Sequence, residues 1–276
     1  MANKKNISYL YKYRNINENT LKTLKNNELY FSFPSEFNDP FDTKIDVNFE
    51  GNRADWKRYL LNISPYNSDS KIERILNSFE EYNYNIKELP TFNKEKYFNA
   101  AESLIILCLS ELNDNILMWT HYANNHKGIC LGFKTTCISN SIGLEFEDTF
   151  HFNPSKKRGF LPTFKVKYKK ERPKPYNPLK DGKEKLFEFA KTKYLDWEYE
   201  KERRIIYLYN DIKEKIINFK RDILSEIIFG LKTSEEDINR IKDIVYENYI
   251  SNGIKVDFYK TELCDGKYGL NIVPFE

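Results

Sequence analysis

Residues 113–133, NDNILMWTHYANNHKGICLGF, form the stretch around which we expect this chain to fold. An apolar run, LIILCL at residues 104–109, precedes it, and a second, GICLGF at residues 128–133, completes it. Runs of this length are typical of strands that are buried on both faces. The polar part between them contains four side chains that often contribute to binding sites: Trp119, His121, Tyr122 and His126. We therefore predict a buried strand, a short helix and a second buried strand, with a site near their connection.

The length and charge of the chain exclude several classes of protein. Its 276 residues can bury a full core, and we expect a single domain over residues 1–276. The 44 Lys and Arg residues against 41 Asp and Glu residues leave a net charge of +3, so no strong basic field indicates nucleic acid binding. The N-terminus lacks an apolar signal core, and no segment is long enough to span a bilayer. We expect a cytoplasmic protein with no membrane partner.

The cysteines provide no framework for a disulfide or a metal. They form no CxxC pair, and two of them lie inside the apolar runs described above. We therefore expect reduced thiols and no metal held by the four cysteines, which are Cys108, Cys130, Cys137 and Cys264.

The beginning of the chain is predicted to form a strand, a helix and a second strand. LYKYR at residues 10–14 alternates as a strand does, and Asn17 is a good N-cap for the helix that follows. Asn26 and Asn27 can end that helix, and ELYFS at residues 28–32 resumes as a strand.

The next segment, FPSEFNDPFD at residues 33–42, is predicted to be a structured polar loop. Pro34 and Pro40 exclude a regular element, and Asn38 and Asp39 favour an Asx-type turn in which both side chains bond to nearby backbone. Two aromatic side chains are expected to anchor this loop in the core: Phe37 and Phe41.

The remaining pattern indicates an α+β protein with a mixed sheet core and flanking helices. Residues 52–101 have apolar residues at spacings of three and four, which predicts a helical insertion that acts as a lid or a partner surface. Residues 142–157 are typical of a loop or hairpin, and FKVKY at residues 164–168 alternates as a strand. Residues 183–194 are predicted to be helical, and residues 223–262 to form a strand–helix–strand unit.

A charged segment, DWEYEKERRIIYLY at residues 196–209, carries the acids of most interest. If residues 200–207 are extended, Glu200, Glu202 and Arg204 project from one face of a strand. Two carboxylates at this spacing lie about 6–7 Å apart at the backbone, and each raises the pKa of the other unless a cation intervenes. Arg204 can be that cation. A mixed charge run is also typical of a solvated edge, so both interpretations stay open.

The histidines give no clear metal site. His121 and His126 are five residues apart, which separates them by about 140° on a helix. They cannot share a metal on one helix, and either can instead bond to a strand end. Asp39 and Asp42 could bind a divalent cation with a distant ligand, but the turn needs these side chains for its own amides. We predict no metal.

These motifs together resemble the bacterial family catalogued as domain of unknown function 2971. The resemblance extends over residues 9–230, and the family name carries no activity. The matching segments, in chain order, are LYKYR, LYFSFPSEFNDPFD, ILMWTHYANNHKGICLGF, WEYEKERRI and LSEIIFG.

The chain is more distantly similar to the ADP-ribosyltransferase fold of toxins and phage-defence proteins. In that fold an Arg or His on the first strand grips NAD, a polar aromatic element holds the nicotinamide ribose, and a Glu, often in an ExE pair, lies on a later strand. Arg14, residues 119–126 and the Glu200-Lys201-Glu202 segment follow the same order. The Ser-Thr-Ser motif of that fold is absent, unless Ser110 or Thr120 replaces it.

This likeness implies that NAD is the substrate. Glu202 would stabilise the positive charge of the ribose as nicotinamide leaves, and Glu200 would orient or deprotonate the acceptor. Arg14 would bind the pyrophosphate. Tyr122 or Trp119 would stack on nicotinamide. The full set of cofactor-binding residues implied by the likeness is Arg14, Tyr13, Asn38, Trp119, His121, Tyr122, His126 and Arg204.

Three functions stay open from the sequence. The first is an ADP-ribosyltransferase or NAD glycohydrolase, for example a toxin or phage-defence effector, with an unidentified protein or nucleic acid acceptor and a regulatory protein partner. The second is a non-catalytic binding or sensor module in which the helices of residues 52–101 contact a partner. The third is a metal-dependent nuclease that uses Asp39, His121, His126 and a glutamate, although the chain lacks a basic surface for the phosphate backbone.

Overall fold

A mixed, eight-stranded sheet organises the protein. The computed structural model describes residues 7–63, 68–84, 104–147, 159–209 and 214–276. The strands of the main sheet lie in the order β15-β14-β13-β4-β1-β3-β11-β8. Only β13 and β14 run parallel, and the other neighbours are antiparallel. The bounds of these strands are β1 Tyr9–Arg14, β3 Leu104–Ser110, β4 Ile129–Lys134, β8 Phe164–Lys165, β11 Glu202–Leu208, β13 Leu224–Phe229, β14 Asp257–Leu263 and β15 Leu270–Pro274.

Smaller sheets and helices surround this sheet. The smaller sheets contain β2 Glu28–Tyr30 with β12 Ile216–Asn218, β5 Thr136–Ile138 with β6 Ser141–Glu145 and β7 Phe160–Pro162, and β9 Lys167–Lys169 with β10 Thr192–Tyr194. The described α-helices are α1 Glu18–Asn26, α2 Arg53–Ile63, α3 Asp69–Glu80, α4 Ile116–Tyr122, α5 Leu186–Ala190 and α6 Glu235–Asn248. None of these helices is long and apolar enough to cross a membrane. The protein therefore has the expected α+β class.

The continuous apolar runs form strands that are covered on both faces. In β3, Ile105 and Leu107 pack into the main core with α1 and α6, whereas Leu104 and Ile106 pack on the opposite face against α5. In β4, Ile129, Leu131 and Phe133 likewise lie in the main core. This double burial explains why neither run alternates with polar residues.

The opening strand–helix–strand unit has the predicted caps. The side chain of Asn17 accepts a hydrogen bond from the Thr20 amide and begins α1. Asn27 ends the helix in the left-handed conformation, with φ 47°. The buried Asn27 side chain donates to the Phe219 carbonyl and to Glu147, so the cap also attaches the helix to β12 and its surroundings.

The helices of residues 52–101 form a satellite core where they are described. Trp56 and Leu60 of α2 pack against Ile72 and Leu76 of α3, and Leu179 covers the cluster. The part of this insertion at residues 85–101 lies outside the described residues, and so do residues 148–157 of the predicted loop or hairpin. That the whole chain forms one domain stays a prediction.

Two elements differ from the sequence prediction because tertiary pairing overrides local pattern. Residues 183–194 do not form one helix: α5 ends at Ala190, and β10 then pairs in parallel with β9. Residues 164–168 do not form one strand, because the chain breaks at the buried Val166, whose amide donates to the Glu202 carbonyl. As a result β8 pairs with β11, whereas β9 pairs with β10.

The proline-containing loop has the predicted turn but only one of its predicted anchors. A 3-10 turn covers Pro34–Glu36, and the Asp39 carboxylate accepts a hydrogen bond from the Phe41 amide. Phe37 packs beside the core, whereas the Phe41 side chain is 64% exposed. The prediction for Phe41 is therefore wrong, since the turn directs it away from the core.

Replacing Asn27 tests the closure of the opening unit. We expect Asn27→Ala to lower the free energy of unfolding by roughly 2–4 kcal/mol, because alanine disfavours the left-handed conformation and leaves the Phe219 carbonyl without its side-chain donor. Asn27→Gly, which removes only the side-chain bonds, should cost less. Urea unfolding measures both values. The neighbouring Asn26 is exposed, so Asn26→Ala is the control, and an equal loss in both alanine variants would contradict this account.

Candidate functional site

A cavity of about 300 Å³ opens where the main sheet separates between β1 and β3. These two strands are joined by one register pair, Tyr11 with Ser110. Further along β3, Ile106 pairs with Ser32 instead. Between these points the Cys108 carbonyl accepts a hydrogen bond from the Lys12 ammonium at 3.0 Å. The separation leaves a space that is walled by side chains of β1, β3 and the loop at residues 32–42.

The cavity is lined by aromatic side chains and by six charged side chains. Its aromatic residues come from four parts of the chain and are Tyr11, Tyr13, Tyr30, Phe37 and Tyr122. Its charged residues are Lys12, Glu36, Asp42, Lys193, Glu200 and Glu202. Aromatic walls with a few convergent polar groups are the usual composition of a small-molecule site.

The two glutamates converge, but not as neighbours on one strand. A 3-10 helix covers Leu195–Glu200, and Lys201 follows in the left-handed conformation with φ 44°. Strand β11 begins only at Glu202, so the prediction of an extended segment from Glu200 is wrong. The reversal at Lys201 nevertheless brings both carboxylates to the same buried lysine.

That lysine is Lys193 of β10, which is 6% exposed. Its ammonium lies 2.6 Å from Glu200, 3.3 Å from Asp42 and 3.5 Å from Glu202. It also lies over the ring of Trp197, 4.8 Å from the centroid. Lys193 thus links three carboxylates that would otherwise repel one another.

Arg204 completes the cluster from below the cavity. Its guanidinium is fully buried and forms paired hydrogen bonds with Glu202, both of 2.8 Å, and with Asp42, of 2.6 and 2.8 Å. Thr43 and the Ala190 carbonyl accept further bonds from it. Arg204 therefore joins Glu202 to Asp42 and not to Glu200, so the cation that lies between the two glutamates is Lys193 and not, as the sequence had indicated, Arg204. Arg204 does not line the cavity. We name these five residues, Asp42, Lys193, Glu200, Glu202 and Arg204, the ion cluster.

The pKa values of the two glutamates are shifted in opposite directions. Burial alone would raise the pKa of Glu202, but Arg204 and Lys193 hold the pKa of Glu202 down to about 2. Burial raises the pKa of Glu200 above its ordinary value, and attraction to Lys193 offsets this only in part. Burial, with the nearby charge of Arg14, lowers the pKa of Lys12 to about 8. The cavity therefore contains an ionised carboxylate beside a more basic one.

Hydroxyl groups fix the glutamates in position. The Tyr122 hydroxyl donates to Glu200 at 2.6 Å. The Ser110 hydroxyl donates to the Glu200 carbonyl at 2.6 Å, and the Tyr168 hydroxyl accepts from the Glu202 amide at 2.7 Å. Tyr13 lines the cavity and donates from its hydroxyl to the Leu112 carbonyl. Of the residues proposed from the sequence, the structure thus brings together those on the cavity wall, namely Glu200, Glu202, Tyr13, Asn38 and Tyr122.

Arg14 and Trp119 lie elsewhere, which corrects two expectations. The Arg14 guanidinium is directed to Thr23 of α1, at 3.5 Å, and does not line the cavity. Trp119 is fully buried, with Tyr13 edge-on at 5.2 Å between ring centroids and with its indole donating to the Asn113 carbonyl. Its ring packs the core and is not available to stack on a ligand.

The two histidines also lie outside the cavity. His121 is exposed on α4. His126 has φ 69°, its ring lies parallel to Trp119, and its Nε2 lies 3.2 Å from the Thr120 hydroxyl. Thr120 therefore positions His126 and does not replace the missing serine–threonine motif. Among the described residues, no group of three or more His, Cys, Asp and Glu side chains could hold a metal ion.

Sequence reasoning missed Lys193, Lys12 and the structural role of Asp42. Lys193 lay within a segment of helical spacing, and no local pattern distinguished it from the many other lysines. The sequence does contain a sign that Lys12 is unusual. A lysine in the middle of a central strand is often partly buried and then needs a polar partner. For Asp42 the sequence indicates only a candidate metal ligand, and the ion pairs that it forms with Lys193 and Arg204 are long-range.

The structure thus combines an aromatic-walled cavity with an ion cluster in an α+β protein. Residues 118–205 match the model of a family described as "Protein of unknown function (DUF2971)". Over these residues the match confirms the family resemblance that the motifs indicated, whereas LYKYR, LYFSFPSEFNDPFD and LSEIIFG lie outside it. The match includes most of α4 and four residues of the ion cluster, all except Asp42. No curated protein and no solved structure matches the chain.

Removing Arg204 tests whether the ion cluster stabilises the fold. Arg204→Met leaves Asp42 and Glu202 buried with one cation, Lys193, and should lower the free energy of unfolding by about 3–5 kcal/mol. The control is Arg172→Met, because Arg172 pairs with Asp46 at 2.8 Å on the surface. That change should cost no more than about 1 kcal/mol. Similar losses in both variants, measured by urea unfolding, would refute a special role for the buried pair.

The low pKa of Glu202 predicts a specific dependence of stability on pH. Because this carboxylate binds its proton less tightly in the folded state, it stabilises the fold fully above its ordinary pKa, and this contribution disappears as pH falls toward about 2. Glu202→Gln removes that dependence. We expect the free energy of unfolding of the unchanged protein to fall more steeply between about pH 5 and pH 3 than that of Glu202→Gln. Parallel slopes in pH-resolved urea unfolding would contradict the assignment.

Proposed function

We propose that the protein binds NAD in this cavity and breaks the bond between nicotinamide and ribose, as an ADP-ribosyltransferase or NAD glycohydrolase. The observation that carries the proposal is the pair of buried glutamates with opposite pKa shifts beneath an aromatic wall. Glycosyl transfer uses two carboxylates in this way, because one must stay ionised while the other exchanges a proton.

The proposed reaction begins with cleavage of the bond between ribose C1′ and the nicotinamide nitrogen. The bonding electrons leave with nicotinamide, and a positive charge develops on the ribose. Glu202, which stays ionised, stabilises this charge. Water or an acceptor group then attacks C1′, and Glu200 takes its proton. The raised pKa of Glu200 makes this carboxylate the better base of the two.

Tyrosines supply the remaining contacts in this proposal. Tyr122 lines the cavity and bonds to Glu200, so its ring can contact nicotinamide while its hydroxyl holds the base. Tyr13 and Asn38 line other parts of the wall. Arg14 no longer has a role at the pyrophosphate, and Trp119, His121, His126 and Arg204 act by supporting the elements that carry the site.

An ADP-ribosyltransferase-like fold is part of the proposal. Its support is the position of the three expected elements: β1, α4 and the Glu200–Glu202 turn all contribute side chains to one cavity. The acceptor is then a protein, a nucleic acid or water. A toxin or phage-defence effector would use any of these, with a regulatory protein to control it.

A non-catalytic binding module is the second candidate, and one observation favours it. Arg204 already binds both oxygens of Glu202, while Tyr122 and Lys193 occupy those of Glu200. In this second candidate the role of the paired carboxylates is purely structural. The cavity would then bind a ligand without changing it, and Glu202→Gln would affect stability alone.

Release of nicotinamide from NAD distinguishes the two candidates. Glu202→Gln should lower the rate of release by roughly 100-fold or more, because the neutral amide cannot stabilise the ribosyl cation. Thermal unfolding in the presence of NAD should still show stabilisation, since binding raises the midpoint by mass action. Release is measured by chromatography of free nicotinamide.

The control is Glu198→Gln. Glu198 belongs to the same acidic segment, but it is exposed and pairs with Lys201 at 3.0 Å on the surface. The Glu198→Gln variant should release nicotinamide at a rate within about twofold of that of the unchanged protein. If NAD stabilises the unchanged protein but no nicotinamide is released, the binding module is favoured. If NAD does not raise the thermal midpoint at all, both the NAD-cleaving enzyme and an NAD-binding module are refuted.

A further inference from the structure

A second, larger cavity of about 540 Å³ lies beside the first. The two-stranded ribbon of β9 and β10 contributes to its wall, with Tyr168 paired with Lys193 and Lys169 paired with Tyr194. Because side chains alternate along a strand, Tyr168 and Lys193 contact the glutamates of the smaller cavity, whereas Lys169 and Tyr194 line the larger one. Asn38 and Lys193 line both cavities, so the cavities adjoin at these two residues and one extended ligand can contact both.

The larger cavity carries positive charge that the described protein does not neutralise. Lys44, Lys169 and Lys170 are exposed at its wall, and none of them forms an ion pair within the described ranges. Arg172 is already paired with Asp46. Two carboxylates also line this wall, the exposed Glu171 and the buried Asp39, against the three exposed lysines. Such a surface favours an anion with more than one negative charge.

Exposed aromatic rings lie beside these lysines. The side chain of Phe41 is 64% exposed and that of Tyr194 is 48% exposed, although both belong to structured elements. Trp197 also contributes to the wall. Rings of this kind stack on nucleobases, and lysines bind phosphate groups. A cavity of this volume lies within the range of about 300–1,000 Å³ that small-molecule sites occupy.

We propose that the larger cavity binds a nucleoside diphosphate, namely the ADP half of the NAD molecule whose nicotinamide ribose occupies the smaller cavity. This inference rests on the proposed function. Lys169 and Lys170 contact the diphosphate and thus take the role that the sequence assigned to Arg14. Phe41 and Tyr194 contact the base. The shared wall of Asn38 and Lys193 lies beside the link between the two halves.

Calorimetric titration of the full chain with ADP tests this site without any catalytic step, because ADP has no bond to nicotinamide. The double variant Lys169→Gln, Lys170→Gln should bind ADP about tenfold more weakly or worse. The control is Lys174→Gln, Lys180→Gln, which removes two exposed lysines outside both cavities and should change ADP affinity by less than about twofold. Tyr194→Ala should also weaken ADP binding, whereas Tyr194→Phe should preserve it.

The outcome separates this inference from the proposed function. ADP binding that is weakened selectively by the Lys169 and Lys170 changes, and that NAD displaces, supports the inference even if nicotinamide is never released. Absence of ADP binding at millimolar concentration, or equal weakening in both double variants, overturns it. Simultaneous binding of ADP and NAD also overturns it, because the larger cavity would then hold a separate ligand.

Discussion

The pairing of two buried cations with three buried carboxylates is the interaction on which the candidate site depends. Lys193 and Arg204 reach the cluster from β10 and β11, Asp42 reaches it from the proline-containing loop, and the two glutamates meet it at the start of β11. Each ion would be costly to bury alone. Together they fix the loop, the ribbon and the main sheet relative to one another, and all three carboxylates line the cavity.

Local signals allowed much of the fold to be predicted. The caps at Asn17 and Asn27 and the apolar runs of β3 and β4 depend on neighbouring residues, and the sequence shows them directly. The site was predictable only in part. The proximity of Glu200 and Glu202 was expected, but it arises from a left-handed turn at Lys201 and not from strand alternation. Lys193 was missed because its pairing with β9 and its contact with Asp42 are long-range and leave no local pattern.

The same geometry connects the proposed reaction site to the larger cavity, because Asn38 and Lys193 line both. The ribbon of β9 and β10 directs Lys193 toward the carboxylates and directs Lys169 and Tyr194 toward the second cavity. The proposed ligand matches the two cavities, with its nicotinamide ribose in the smaller cavity and its diphosphate and adenine base in the larger one. In the proposed reaction, the opposite pKa shifts of the two glutamates determine which carboxylate stabilises positive charge and which accepts a proton.

A crystal structure of the Glu202→Gln variant with NAD bound would test the central claim most directly, because the change should slow turnover and preserve the ligand. The account predicts the nicotinamide ring against Tyr122, and the ribose hydroxyls within hydrogen-bond distance of the side chain at position 202, about 2.6–3.2 Å. NAD bound at another surface, with the cavity between β1 and β3 left empty, would contradict it.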